Sequence, residues 1–173
     1  MRKIFRLSAV LLVLAAGPAL AEEKTTYTSL RYLYSVDHPA DWRVKEISNA
    51  TLFLSPLESK EDKFAENVEV DVEDLSQAGE VPLMEYHRKA VDNATLMLKD
   101  FKLLEEAKTE FNGHEAVAVL YTATVKGNSF RCKKIVFFAG KNAYALTYNA
   151  LNEDFDKYLP AADKVMRSLQ VSP

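Results

Sequence analysis

Between His114 and Ala150 the chain alternates in a way that leaves little choice of architecture. In His114–Val125, Val117, Val119, Tyr121 and Ala123 fall on one face of an extended strand, and Ala116, Ala118, Leu120 and Thr122 fall on the other. Successive side chains of a strand point to opposite faces, so a strand apolar on both must be covered on both. The later part of Phe130 to Ala139 and the run Ala143 to Ala150 repeat the pattern, turned by Lys126-Gly127-Asn128 and Gly140-Lys141-Asn142. The reading requires Val119 and Leu120 both to be shielded from water. It defines a layered sheet and no chemistry.

The other segments supply further strands and the cover. Leu30 to Val36, Trp42 to Ile47 and Thr51 to Ser55 read as short strands of an antiparallel meander. The first stops at Asp37-His38-Pro39-Ala40-Asp41, where Pro39 fixes its own φ and biases His38 away from helix. In Asn67 to Glu73, Val68, Val70 and Val72 alternate with Glu69, Asp71 and Glu73, the pattern of a half-buried strand. Pro82 suits a first helical position, and apolar residues at 83, 86, 87, 90, 91, 94 and 98 predict a helix to about Leu98. Phe101 to Phe111 is read as a strand feeding the hairpin signal Asn112-Gly113. At the end of the chain Asn152 is the expected N-cap, followed by a short turn and a proper helix only from Pro160, since an interior proline removes a backbone donor. Phe155, Leu159, Ala162, Val165, Met166 and Leu169 mark its buried side. The order β-β-β-β-α-β-β-β-β-α predicts an α+β fold: a three-layer αβα sandwich whose mainly antiparallel sheet carries one helix layer on each face.

Residues 1–21 read as a secretory signal peptide. Arg2, Lys3 and Arg6 precede the apolar run Leu7 to Ala16, and Gly17-Pro18 leads to the small-x-small site Ala19-Leu20-Ala21. Cleavage after Ala21 would leave a periplasmic or secreted protein with no transmembrane segment, a flexible tail at 22–29 and one domain at 30–171. No cysteine follows the apolar run, which disfavours a lipid anchor. Taking those three cations from the 22 basic residues leaves 19 against 25 acidic ones, a poor match to nucleic acid or anionic lipid. Cys132 is the only cysteine, so no internal disulfide forms.

The residues able to carry chemistry do not assemble into a motif. His38, His87 and His114 sit in three separate elements without metal-ligand spacing, His87 on the apolar stripe of the first helix and the other two expected at the surface. Glu69, Asp71 and Glu73 stand about 7 Å apart on one strand face. They could hold a divalent cation loosely or meet a basic partner, but read first as a solvated face near a sheet edge. Cys132 would need His114 as its base to act as a nucleophile. Arg131, Lys133 and Lys134 lie beside it in sequence, though flanking residues point to the opposite face, so a buried, apolar-like cysteine is expected. No nucleophile elbow or phosphate loop appears. Asn49-Ala-Thr51 and Asn93-Ala-Thr95 are sequons that matter only in a glycosylating pathway. Most of the eight tyrosines, Tyr144 and Tyr148 among them, are expected in sheet packing rather than around a ligand.

Three segments resemble one family. Tyr34-Ser-Val-Asp-His-Pro-Ala-Asp-Trp42 is similar to the entry motif of the PsbP superfamily, Phe111-Asn-Gly-His-Glu-Ala116 to its hairpin, and Phe155-Asp-Lys-Tyr-Leu-Pro160 running on to Ser168-Leu169 to its closing helix. The resemblance spans about residues 30 to 170 and departs at Leu169, where an aromatic is usual. It implies an αβα sandwich used for binding and scaffolding. The extended N-terminal region used for photosystem docking is missing, so that role is not expected. The resulting expectation is a non-catalytic periplasmic or secreted accessory module with an envelope protein partner, no nucleic acid, no catalytic residue, no cofactor and no metal site. The alternative is an envelope carrier of a small ligand or divalent metal ion.

Overall fold

The computed structural model describes residues 23–172, so the expected signal peptide lies outside the described residues. The chain runs β1 (Lys24–Ser29), β2 (Tyr34–Pro39), β3 (Arg43–Ile47), β4 (Ala50–Leu54), β5 (Asn67–Asp74), α1 (Leu83–Met97) and β6 (Lys99–Phe111). It continues β7 (His114–Val125), β8 (Asn128–Ala139), β9 (Asn142–Leu151), α2 (Phe155–Arg167) and β10 (Gln170–Val171). The fold is α+β, with two helices and strands paired antiparallel throughout.

Tight turns set the register of the long strands. Asn112 and Gly113 both have positive φ, 49° and 84°, and so do Lys126 and Gly127, at 51° and 86°. Two-residue loops with this backbone twist the same way as the strands they join. β6, β7, β8 and β9 therefore form a continuous meander, and β5, β4 and β3 extend it in the order β3-β4-β5-β9-β8-β7-β6.

One face of that sheet builds the core. Val68, Val70 and Val72 of β5 stand opposite Tyr148, Leu146 and Tyr144 of β9, and Phe137 of β8 stands opposite Tyr144. Tyr34 and Val36 of β2 pack on these side chains together with Phe155, Ala162, Val165 and Met166 of α2. Each large apolar side chain buried this way contributes about 1.5–3 kcal/mol. On residues of the alternate parity, Ala90, Val91 and Ala94 of α1 lie near Val119 and Tyr121 of β7. Val119 is 5% exposed, and Leu120 is half-buried against the core.

Several expectations need correction. Lys24–Ser29 is not a loose tail but β1, paired along its whole length with β2. Leu30 to Leu33 turn rather than extend, Leu33 having φ 52°, and β2 continues through His38 to Pro39. The proline is tolerated because it ends the strand. β2 also leaves the expected meander: with β1 and the unforeseen β10 it makes a separate three-stranded sheet. Asn152 is not the cap. Asp154 takes that position, and α2 runs without interruption through Pro160. β5 is interior, held between β4 and β9, so its carboxylates do not guard an edge.

Candidate functional site

The carboxylate row lies on the sheet face shared by Val119 and Tyr121. Register places Glu69 beside Thr147 and Asp71 beside Ala145 on β9, and Thr147 beside Lys134 on β8. Glu69 and Asp71 are half-buried rather than solvated. Burial raises both carboxyl pKa values. Asp71 pushes Glu69 further up, while the Lys134 ammonium draws both back down. Burial likewise lowers the Lys134 pKa against the pull of Asp71 and Glu69. The row's middle and one end are tied down: the Asn49 amide donates to Asp71, and the Tyr86 hydroxyl donates to Glu73 at 2.6 Å. Among the described residues no three His, Cys, Asp or Glu side chains converge to hold a metal ion.

Packing holds the other chemical candidates. His38, expected at the surface, is 5% exposed, with its ring against Phe53 and Nδ1 donating to the Pro39 carbonyl at 2.8 Å. Its burial follows from its place inside β2, on the same face as the buried Tyr34 and Val36. His87 is buried under α1 and donates through Nε2 to Glu106 at 2.7 Å. His114, also expected at the surface, is half-buried and stacks on Phe137 at the far end of β7 from Cys132. Cys132 itself is buried opposite Tyr121, and desolvation pushes its thiol up to about 11. Its flanking cations do point away: Arg131 lies over the Phe155 ring at 4.5 Å, and Lys133 pairs with Asp163 at 2.6 Å. Lys134 alternates back to the thiol's face and pulls its pKa down, but burial outweighs it.

A cleft of about 960 Å3 opens at one end of the sheet, between the 55–66 connection, the β7–β8 turn and the start of α2. The connection has its own scaffold. Asp62 accepts the N–H groups of Glu58 and Phe64, both at 3.0 Å, and Ser59 Oγ accepts those of Glu61 and Asp62. Glu58 clamps it to α2 by accepting from Lys157 Nζ and Tyr158 OH. Phe64 meets Phe130 edge to face at 4.8 Å. Among the described residues, six carboxylates and two lysines, Lys63 and Lys126, line the opening. Glu66 is 3% exposed, and burial raises its carboxyl pKa, with Asp154 and Asp62 pushing the same way.

Sequence reasoning missed this cleft. From sequence, Pro56 to Phe64 reads as a charged loop, and the unusual length of the 55–66 link between adjacent strands is the available signal. Phe64 and Phe130 meet across 66 positions of sequence, which no local pattern reveals.

The fold and these sites define an α+β domain with a concave, acid-lined surface and no assembled nucleophile and base among the described residues. The chain belongs to the PsbP-like protein family, whose model matches residues 21–161. Among solved structures, a Pseudomonas aeruginosa protein of unknown function, PA94, superposes with TM-score 0.65 at 21% identity, covering 87% of this chain and 98% of its own. PsbP of the cyanobacterium Synechocystis sp. PCC 6803 gives 0.64 at 16%, covering 93% and 99%. The Ran-binding protein Mog1p of Saccharomyces cerevisiae gives 0.58 at 10%, covering 87% and 96%. At these identities the likeness is one of fold. No curated protein matches the chain.

Proposed function

We propose that this chain is a non-catalytic binding or accessory module of the bacterial envelope, exported by residues 1–21, trimmed after Ala21, and working on a protein partner. The observation that carries the reading is the cleft over Glu66, which offers carboxylates and aromatic faces but neither a histidine nor the cysteine. Family membership supports it, as does the Ran-binding protein that shares the fold. The same reading takes the body as an αβα sandwich with a helix on each face. In its support, the β8 residues beneath α2, Arg131 and Lys133, alternate with Lys134, which faces α1.

Fractionating cells that express the full-length protein, with N-terminal sequencing of the product, is expected to place it outside the cytoplasm with Glu22 first. A cytoplasmic, untrimmed product would sink the location. Crosslinking in intact cells is expected to trap a protein. A turnover abolished by Cys132→Ala or by loss of a histidine would overturn the non-catalytic reading.

A further inference from the structure

We infer that the cleft between the 55–66 connection and the start of α2 is the docking groove for a basic, apolar-punctuated segment of the protein partner. The inference rests on the binding-module reading and names the chemistry of what is bound. Its first support is charge. Among the described residues, Glu58 is the one of the six lining carboxylates with a cation bonded to it, the Lys157 ammonium at the rim. Glu66 sits deepest and has no lysine or arginine within 4 Å among the described residues. Its carboxyl is held by backbone N–H groups of Glu66 and Leu151, with Lys157 as a more distant positive charge, and a desolvated carboxylate with no cation in contact is stabilised by any cation that reaches it.

The second support is shape. Phe64 and Phe130, edge to face, join Leu151 and Val125 to form an apolar wall beside the acidic one. A metal ion would want carboxylates converging on one point, and among the described residues none converge. Spread carboxylates alternating with apolar surface instead match a peptide whose cationic and apolar side chains alternate. The 55–66 connection is also braced by its Asp62 and Ser59 turns and the Glu58 clamp, so the groove is largely formed before anything enters.

The test uses the full protein and a fluorescent peptide of alternating arginine and leucine, with a glutamate-for-arginine peptide as the control probe. Glu61 and Glu153 are exposed lining residues whose side chains brace nothing, so the double variant Glu61→Lys/Glu153→Lys keeps the fold while reversing the rim. Glu110→Lys/Glu115→Lys changes the net charge equally on the exposed β6–β7 hairpin, where the two residues stand cross-strand. The arginine peptide is expected to bind with salt-sensitive affinity, to perturb the Phe130 and Tyr158 resonances, and to bind about tenfold more weakly to the rim variant than to the hairpin variant. Equal weakening by both pairs, or no preference for the arginine peptide, overturns the groove. If a partner trapped in cells binds the rim variant as well as the unaltered chain, the basic-segment assignment falls while the binding-module reading stands. If no partner is trapped and the peptide still binds at the rim, the reverse holds.

Discussion

The side-chain amide of Asn112 donates to the backbone oxygen of Leu169, 57 residues further along the chain. Asn112 holds φ 49° in the β6–β7 turn, and Leu169 is buried where α2 gives way to β10. One residue thus supplies both a left-handed turn and the partner for a carbonyl at the end of the fold. Asn112→Ala loses the bond and forces an alanine to positive φ, an expected loss of about 2 kcal/mol. Asn112→Gly keeps the turn and should lose only about half as much. Urea unfolding of the two variants checks the split, and equal losses would mean that the positive φ costs alanine nothing and the bond accounts for the whole effect.

That junction is where the three family-like segments meet. Ser168 Oγ accepts the Asp37 N–H at 2.9 Å and donates to the Val165 carbonyl at 2.7 Å, tying β2 to the end of α2. The motifs were legible as strings because short-range chemistry dictates them: a turn, a helix end, an aromatic strand. Their convergence was not, because sequence spacing carries no distance. For the same reason Val68, Val70 and Val72 announced a buried face, while the half-burial of Glu69 and Asp71 depended on strands β4 and β9 flanking them. β1 was hidden by its composition: Lys24 to Ser29 is mostly polar and exposed, Tyr27 alone lays a ring on the core, and the strand is held largely by its pairing with β2.

Pro160 is the sharpest case of tertiary packing overriding local preference. It is exposed in the middle of α2, and its missing N–H leaves the Asp156 carbonyl without its helical partner. The buried side chains on either side, Phe155 before it and Ala162, Val165 and Met166 after it, keep the helix continuous. Pro160→Ala removes the defect without touching the core and is expected to stabilise the protein by about 2 kcal/mol. A denaturation midpoint that does not move would show that the helix is already broken there in solution.

Cys132 should be inert while the protein is folded. Its thiol, raised from 9.0 to about 11 by burial, carries about a hundredfold less thiolate near pH 8 than an ordinary cysteine. Alkylation by iodoacetamide is expected to track global unfolding, slow in buffer and fast in urea. Rapid labelling of the native protein would contradict the burial of β8 beneath α1.

Glu69, Asp71 and Lys134 give the fold a pH dependence of determinate sign. Both carboxyl pKa values are raised, so the folded chain holds these protons more tightly than the unfolded one. Their contribution is fully present below the ordinary values of 4.5 and 3.8 and is lost as pH rises through the folded values. Lys134, lowered from 10.5 by burial, weakens the fold while it is protonated there, and that penalty lifts toward alkaline pH. Glu69→Gln mimics the protonated acid. It is expected to match the unaltered protein at pH 3 and to exceed its stability at pH 7 by up to about 1 kcal/mol. Lys134→Met removes the one cation that draws the two carboxyls down, so both should titrate higher still, as carbon-detected NMR would show. A fall in either value would mean that Lys134 acts through hydration of this sheet face rather than through its charge.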